Sequence, residues 1–125
     1  MKKLLILMLI AAALTVAGCI GVVETYDDPG QTIDTGIKQE FVIALGSNPT
    51  TGYSWQESYD QSMLELLEKV YKEQAQEGVV GAGGVEYFRF KALKAGETEI
   101  TLTYQRPWEE PTSQDLTKIF TVDVK

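Results

Sequence analysis

Apolar side chains recur at every second position along most of this chain, and that period is the one that a β-strand imposes. The alternation is clearest in residues 40–45, 88–91, 100–104 and 120–124. Glycine and proline interrupt it at residues 29–30, 46–52, 78–84, 96 and 107–111. Short alternating segments separated by turn residues predict an all-β fold, most simply a β-sandwich.

One segment departs from this pattern. In residues 62–76, Leu64, Leu67 and Tyr71 have helical spacing, and Glu65 and Lys69 form a favourable i,i+4 pair. The same segment also fits a strand with a charged tail. Because the neighbouring segments are strands, we predict a strand followed by an irregular loop.

The N-terminus has the pattern of an export signal. Lys2 and Lys3 precede an apolar run at residues 4–14, and small residues then lead to Cys19. The end of this segment, Val-Ala-Gly-Cys, resembles the prokaryotic lipobox, in which the cysteine is acylated and becomes the first residue. We therefore expect residues 1–18 to be a lipoprotein signal peptide and Cys19 to carry a membrane anchor, with the protein exported to the cell envelope. The alternative is an ordinary signal peptide with a cysteine near the cleavage site by chance.

Composition excludes several functions. The 125 residues suit one domain and include no His and a single Cys, so imidazole catalysis, His-based zinc sites and an internal disulfide are all ruled out. The net charge is −7, and it becomes −9 without Lys2 and Lys3, which argues against nucleic-acid binding. No motif indicates a cofactor or a metal, and Asp27 and Asp28 lack EF-hand spacing. We expect neither an enzyme nor a metalloprotein.

Three loops lie outside the strand pattern, and each is ambiguous alone. In the first, Asn48-Pro49 opens a turn that carries Thr50 and Thr51, and Gly52 permits a tight exit before Tyr53. A plain hairpin loop would have the same sequence pattern.

The second loop is rich in glycine and lacks the Lys-Ser/Thr of a phosphate cradle. It contains Val79, Val80, Gly81, Ala82, Gly83 and Gly84. An apolar pair beside accessible backbone suits contact with an extended chain of another protein, although a flexible linker is the simpler interpretation.

The third loop holds Arg106, Pro107 and Trp108. Arginine and tryptophan are enriched at binding hot spots, whereas the alternative is a Trp that folds back over its own sheet edge.

Taken together and in this order, the three loops resemble those of the chagasin family of cysteine-peptidase inhibitors. The resemblance covers residues 36–125 and rests on Asn-Pro-Thr-Thr-Gly-Tyr, Gly-Ala-Gly-Gly and Arg-Pro-Trp. It implies an immunoglobulin-like β-sandwich of about seven strands, whose three loops fill the active-site cleft of a papain-like peptidase. The resemblance further implies that Thr50 and Thr51 meet the catalytic Cys-His pair, that residues 79–84 follow the unprimed cleft, and that Trp108 packs on the primed side.

These observations divide the chain into residues 1–18 as signal peptide, 19–35 as lipidated Cys followed by a tether or a first strand, and 36–125 as inhibitor domain. We expect a monomer that inhibits papain-like cysteine peptidases reversibly and without a covalent bond. The alternative is an exported, immunoglobulin-like adhesion or assembly lipoprotein that uses the same loops on a partner that is not a peptidase.

Overall fold

The computed structural model describes residues 23–74, 83–110 and 116–125, and these form eight β-strands and one 3-10 turn. The all-β prediction is confirmed. The 3-10 turn spans Pro49–Thr51. The strands are β1 Glu24–Tyr26, β2 Ile33–Thr35, β3 Glu40–Ser47, β4 Ser54–Tyr59, β5 Leu64–Glu73, β6 Gly84–Ala92, β7 Gly96–Gln105 and β8 Leu116–Val124.

The strands form two four-stranded sheets that share one core, as an immunoglobulin-like sandwich requires. One sheet has the order β1-β3-β6-β5 and the other β2-β8-β7-β4. β1 and β2 pair in parallel with β3 and β8, and the remaining pairs are antiparallel. The interval 19–35, which the pattern left open, therefore supplies two short strands, which accounts for eight described strands rather than about seven.

Most of the core consists of the alternating residues that the sequence pattern predicted, and Tyr26, Ile33, Trp55, Leu64 and Ala92 complete it. The two sheets contribute their inward rows to a single apolar cluster. Phe41 and Phe90 stack at 5.7 Å between ring centroids, and Tyr59 meets Phe90 edge-on at 5.1 Å. Burial of these rows is the main stabilising contribution, since each large apolar side chain removed from water contributes about 1.5–3 kcal/mol. The buried apolar residues are Tyr26, Ile33, Phe41, Ile43, Leu45, Trp55, Leu64, Phe88, Phe90, Ala92, Ile100, Leu102, Phe120, Val122 and Val124.

The strand predicted within residues 62–76 is confirmed by β5, and the helical alternative is wrong for that strand; residues 75–76 lie outside the described residues. β5 pairs antiparallel with β6, with a register shift between Leu66 and Glu68 that leaves Leu67 unpaired and 42% exposed. Leu64 is fully buried opposite Ala92. Pairing with β6 and burial of Leu64 outweigh the local preference for a helix.

The two ends of the sandwich differ in what they carry. One end, which we call the loop end, contains the last residues of β3, β5 and β7. It also contains the first residues of β4, β6 and β8. The turns at 36–39, 60–63 and 93–95 lie at the opposite end, which we call the basal end. Within the described part of the chain, no helix is long and apolar enough to cross a membrane.

The raised pKa of Tyr26 leads to a prediction about the stability of the fold at alkaline pH. Burial, together with the hydrogen bond that its hydroxyl donates to Glu24 (2.7 Å), raises the pKa of Tyr26 from 10.0 to about 12. A raised folded-state pKa means that the stabilisation is present below pH 10 and disappears as pH rises toward 12. We expect the free energy of unfolding to fall over this window, and to fall less in Tyr26→Phe, as measured by urea denaturation. Equal losses in both proteins would contradict this account.

Candidate functional site

The loop end brings together the described parts of the three predicted loops. Ser47 pairs with Gly84, and Ser54 pairs with Gln105, so β-sheet pairing places the residues next to the three loops at one end of the molecule. Of the predicted site residues, Val79, Val80, Gly81 and Ala82 lie outside the described residues, as does Cys19. The remaining predicted residues of the three loops are all described.

The first loop is a closed 3-10 turn stabilised by its own side chains. Asn48 caps the turn: its Oδ1 accepts hydrogen bonds from the Thr50 N–H (3.3 Å) and the Thr50 hydroxyl (2.5 Å). The Thr51 hydroxyl donates to the Asn48 carbonyl at 2.7 Å. Both threonines are exposed. Because each hydroxyl donates its proton inward, the oxygen lone pairs are what the two threonines offer to a partner.

Gly52 links the first loop to the third. It adopts φ +86°, a left-handed conformation that L side chains rarely adopt, and its N–H donates to the Pro49 carbonyl at 2.9 Å. A Cβ at this position would lie 2.6 Å from Cη2 of Trp108, so the indole edge rests directly on the glycine. Trp108 nevertheless remains 69% exposed. It is thus held by another loop, and does not fold back over its own sheet edge.

Arg106 makes a second connection between the same two loops. Its Nε donates to the Thr51 carbonyl at 3.0 Å, and its guanidinium lies over the Tyr53 ring at 4.7 Å. Nη1 also contacts Glu109 at 3.3 Å, which neutralises part of its charge at the surface. The Arg106 side chain therefore joins the tip of the first loop to the start of the third.

The described end of the second loop packs on the first. Gly83 has φ +80°, and a Cβ there would lie 2.8 Å from the Ser47 carbonyl oxygen and 3.3 Å from Cβ of Asn48. Its carbonyl accepts a hydrogen bond from Gln74 N at 3.1 Å. Only glycine allows the second loop to approach the first this closely.

A stack of aromatic rings supports the first and third loops from below. Tyr53 stacks on Tyr104 at 5.4 Å, and Tyr104 lies 4.9 Å from Trp55. The Tyr104 hydroxyl also accepts a hydrogen bond from Asn48 N at 2.9 Å. The start of the first loop is thus attached to β7, two residues before Arg106.

A buried carboxylate connects the two sheets beneath this stack. Glu86 is 5% exposed, and its Oε2 accepts a hydrogen bond from Trp55 N at 3.0 Å. Trp55 lies on β4, an edge strand, so the carboxylate takes the place of a neighbouring strand at that position. The indole Nε1 of Trp55 donates in turn to the Gly46 carbonyl at 2.8 Å. Glu86 therefore links β6 to β4, and the indole of Trp55 links β4 to β3.

The sequence-based list of site residues missed Glu86, Trp55 and Tyr104, which position the loops from within the sandwich. A signal for Glu86 was available, because it lies in the same alternating row as Phe88 and Phe90. A carboxylate at a core position of a strand needs a buried donor. Nothing in the local sequence identified Trp55 N as that donor.

A pKa shift occurs near the loop end at Tyr71. Burial raises the pKa of the Tyr71 hydroxyl, and the negative charges of Glu73 and Glu86 raise it further. Within residues 23–74, 83–110 and 116–125, no group of three or more acidic or cysteine side chains is placed to hold a metal ion. The arrangement is suited to contact with a macromolecule through shape and hydrogen bonds.

The fold and this surface define a class of protein: a β-sandwich whose first and third loops are joined at one end beside the described end of the second loop, with an exposed Trp. The chain belongs to the chagasin family of peptidase inhibitors, since the model of that family (Chagasin family peptidase inhibitor I42) matches residues 35–124. Members of this family are inhibitors and not enzymes.

Two curated relatives match most of the chain. It is 36% identical over 102 residues to Chagasin from Trypanosoma cruzi, covering 77% of this chain and 89% of the relative. It is 34% identical over 101 residues to Amoebiasin-1 from Entamoeba histolytica, covering 81% of this chain and 97% of the relative.

Two solved structures share the fold. The cysteine protease inhibitor EhICP2 from Entamoeba histolytica matches with a TM-score of 0.70 and 25% identity, covering 84% of this chain and 99% of that one. The solution structure of Amebosin matches with a TM-score of 0.67 and 32% identity, covering 84% of this chain and 100% of that one.

The position of Glu86 generates a prediction about loop order. Glu86→Leu leaves Trp55 N–H buried and unpaired, which costs about 1–3 kcal/mol. We expect amide hydrogen exchange of residues 48–53 to accelerate more than the loss of global stability requires. Glu86→Gln keeps an acceptor oxygen and should be affected less.

Val124→Ala is the matched control, because Val124 is buried at the basal end, where it pairs with Gly96. This variant should lose stability without a selective effect on residues 48–53. If Glu86→Leu and Val124→Ala gave the same exchange pattern, Glu86 would have no special role in positioning the loops.

Proposed function

We propose that this chain is a reversible, noncovalent inhibitor of papain-like cysteine peptidases, which it blocks by inserting its three loops into the active-site cleft. The single observation that carries the proposal is the Trp108–Gly52 contact, because it joins two loops into one surface while leaving Trp108 69% exposed. A large exposed indole that is already held in position suits a binding hot spot. The description of EhICP2 as a cysteine protease inhibitor supports the same class of target.

The first loop suits inhibition rather than cleavage. Residues Pro49–Thr51 form a 3-10 turn, so they present no extended segment with a peptide bond in the register of a substrate. Thr50 and Thr51 are exposed, and their hydroxyl oxygens, which already donate to Asn48, retain lone pairs that suit donor groups in a catalytic centre. Cleft blockage of this kind forms no covalent bond and reverses when the complex dissociates.

Rigidity explains how a small surface could bind tightly. The hydrogen bonds from Arg106 to Thr51 and from Asn48 to Tyr104 exist before a partner arrives. Ordering of loops is one of the costs that reduce affinity, and here it is largely met in the free protein. Three loops suit an interface of about 1,600 Å², the usual size for protease–inhibitor pairs.

We further propose that Cys19 is acylated and that the protein is exported and held on a membrane in the cell envelope, on the periplasmic or cell-surface side. The support is the lipobox-like sequence, the basic and apolar segment before it, and the position of the only Cys in the chain. Two or more acyl chains are enough for stable anchoring. Cys19 precedes residues 35–124, which the family model matches. The relatives named above give the adhesion alternative no support.

The inhibitor proposal predicts a hot spot at Trp108. Residues 20–125, titrated into papain with a fluorogenic substrate, should abolish activity stoichiometrically and release it on dilution. Trp108→Ala should weaken binding by about 2 kcal/mol, or roughly 30-fold. Ile119→Ala is the control, since Ile119 is 47% exposed on β8. This substitution should change the affinity for papain by less than about twofold.

Two results would count against this proposal. Absence of papain inhibition at tens of micromolar would remove a broad inhibitor function. Normal affinity in Trp108→Ala would mean that the third loop lies outside the interface.

The anchor proposal predicts that the full chain, made in a host that acylates lipoproteins, enters the detergent-rich phase of a Triton X-114 separation. Cys19→Ser should move it to the aqueous phase, because the acylated sulfur is lost, while papain inhibition stays unchanged. Identical partitioning of the two proteins, with residues 1–18 shown by mass spectrometry to be absent from both, would show that Cys19 is not the anchor.

A further inference from the structure

The basal end carries exposed apolar residues that the three-loop surface does not explain. Eight large apolar side chains are exposed within the described residues, and three of them, Val23, Ile37 and Leu93, lie at this end. Their exposed fractions are 37%, 47% and 40%. Exposed apolar residues gathered on one surface often mark a contact with a membrane or a protein.

The two turns that hold Ile37 and Leu93 are joined by hydrogen bonds. Lys38 N donates to the Ala92 carbonyl at 2.7 Å, and Ala92 N donates to the Gln39 carbonyl at 2.9 Å. Each apolar residue is followed by an exposed lysine, Lys38 in one turn and Lys94 in the other. Aliphatic side chains next to ammonium groups match the boundary between acyl chains and anionic headgroups.

Two carboxylates at the same end are already hydrogen-bonded within the protein. Asp60 accepts bonds from the Ser62 N–H (2.9 Å) and hydroxyl (2.6 Å), which lower its pKa. Glu24 accepts from the Tyr26 hydroxyl at 2.7 Å. Both groups stay acceptor carboxylates in these contacts, so the ammonium groups of Lys38 and Lys94 are what offset them at an anionic surface.

The direction of β1 places the start of the described chain at this end. β1 runs parallel to β3, with Glu24 opposite Phe41, and β3 then runs toward the first loop. Cys19 precedes Val23 by four residues, which span at most about 14 Å. The eight residues of β3 cover about 27 Å, so a segment of this length starting at Val23 falls well short of the loop end.

We propose that the basal end, through Ile37, Leu93, Lys38 and Lys94, lies against the membrane that holds Cys19, so that the three loops point away from the bilayer. This inference rests on the proposed acylation of Cys19. It commits to one occupant of the basal surface, the lipid headgroup region. A peptidase would then approach from the side opposite the membrane and meet the loops unobstructed.

The test compares two exposed leucines at opposite ends of the sandwich. The full acylated chain is prepared as Leu93→Cys and as Leu116→Cys, and each is labelled with an environment-sensitive fluorophore. Because Cys19 is the only natural Cys and its sulfur carries the lipid, the introduced Cys is the one free thiol. Both proteins are placed in vesicles of phosphatidylethanolamine and phosphatidylglycerol that contain nitroxide-labelled lipid.

We expect the label at position 93 to be quenched at least about twofold more than the label at 116, since the two ends are about 30 Å apart along β7. Vesicle-bound protein should also inhibit papain within about twofold of the unanchored Cys19→Ser protein, because the loops face the medium. Equal quenching at the two positions, or stronger quenching at 116, would overturn the proposed orientation.

The possible failures are distinguishable. If the full chain does not enter the detergent phase, the anchor is wrong and the orientation falls with it. If attachment to vesicles abolishes inhibition while Cys19→Ser still inhibits, the loops face the bilayer and only the orientation is wrong. If neither form inhibits papain, the proposed target is wrong, and the quenching result still decides the orientation.

Discussion

One buried hydrogen bond, from Trp55 N to the carboxylate of Glu86, controls the geometry on which the loop end depends. A sandwich core of apolar side chains is not directional, so it does not by itself decide how the ends of its two sheets are placed relative to each other. A hydrogen bond to a buried carboxylate is directional and costly to break. Because Glu86 follows the second loop and Trp55 follows the first, this bond sets the spacing between the strands that carry both loops.

From this base, a chain of contacts extends outward to the surface. Trp55 supports Tyr104, Tyr104 supports Tyr53, and the Arg106 guanidinium covers Tyr53. The outermost contact, Trp108 on Gly52, depends on a glycine that supplies both the left-handed backbone and the missing side chain. The loop surface is thus held in place by contacts that lead back to the core. This is how a domain of this size keeps a preorganised surface without disulfides.

The two ends of the sandwich follow from the same topology. Antiparallel pairing sends alternate connections to opposite ends, so the described parts of the three loops share one end and the turns at 36–39, 60–63 and 93–95 share the other. The parallel pairing of β1 with β3 brings the chain in at the basal end. The start of the described chain and the loop end therefore lie at opposite ends of the sandwich. The proposed orientation would leave the loops clear of a membrane at the basal end.

Local patterns predicted the strand class, most of the core rows and the three loops, because alternation, turn residues and short motifs are signals that the fold preserves. It left residues 62–76 ambiguous, since helix preference and strand pairing conflict there and only β6 resolves the conflict. It also did not reveal the roles of Glu86 and Tyr104, whose partners lie 31 and 56 residues away along the chain. Those contacts follow from the packing of the two sheets, because a hydrogen bond between distant segments depends on an arrangement that no local pattern encodes.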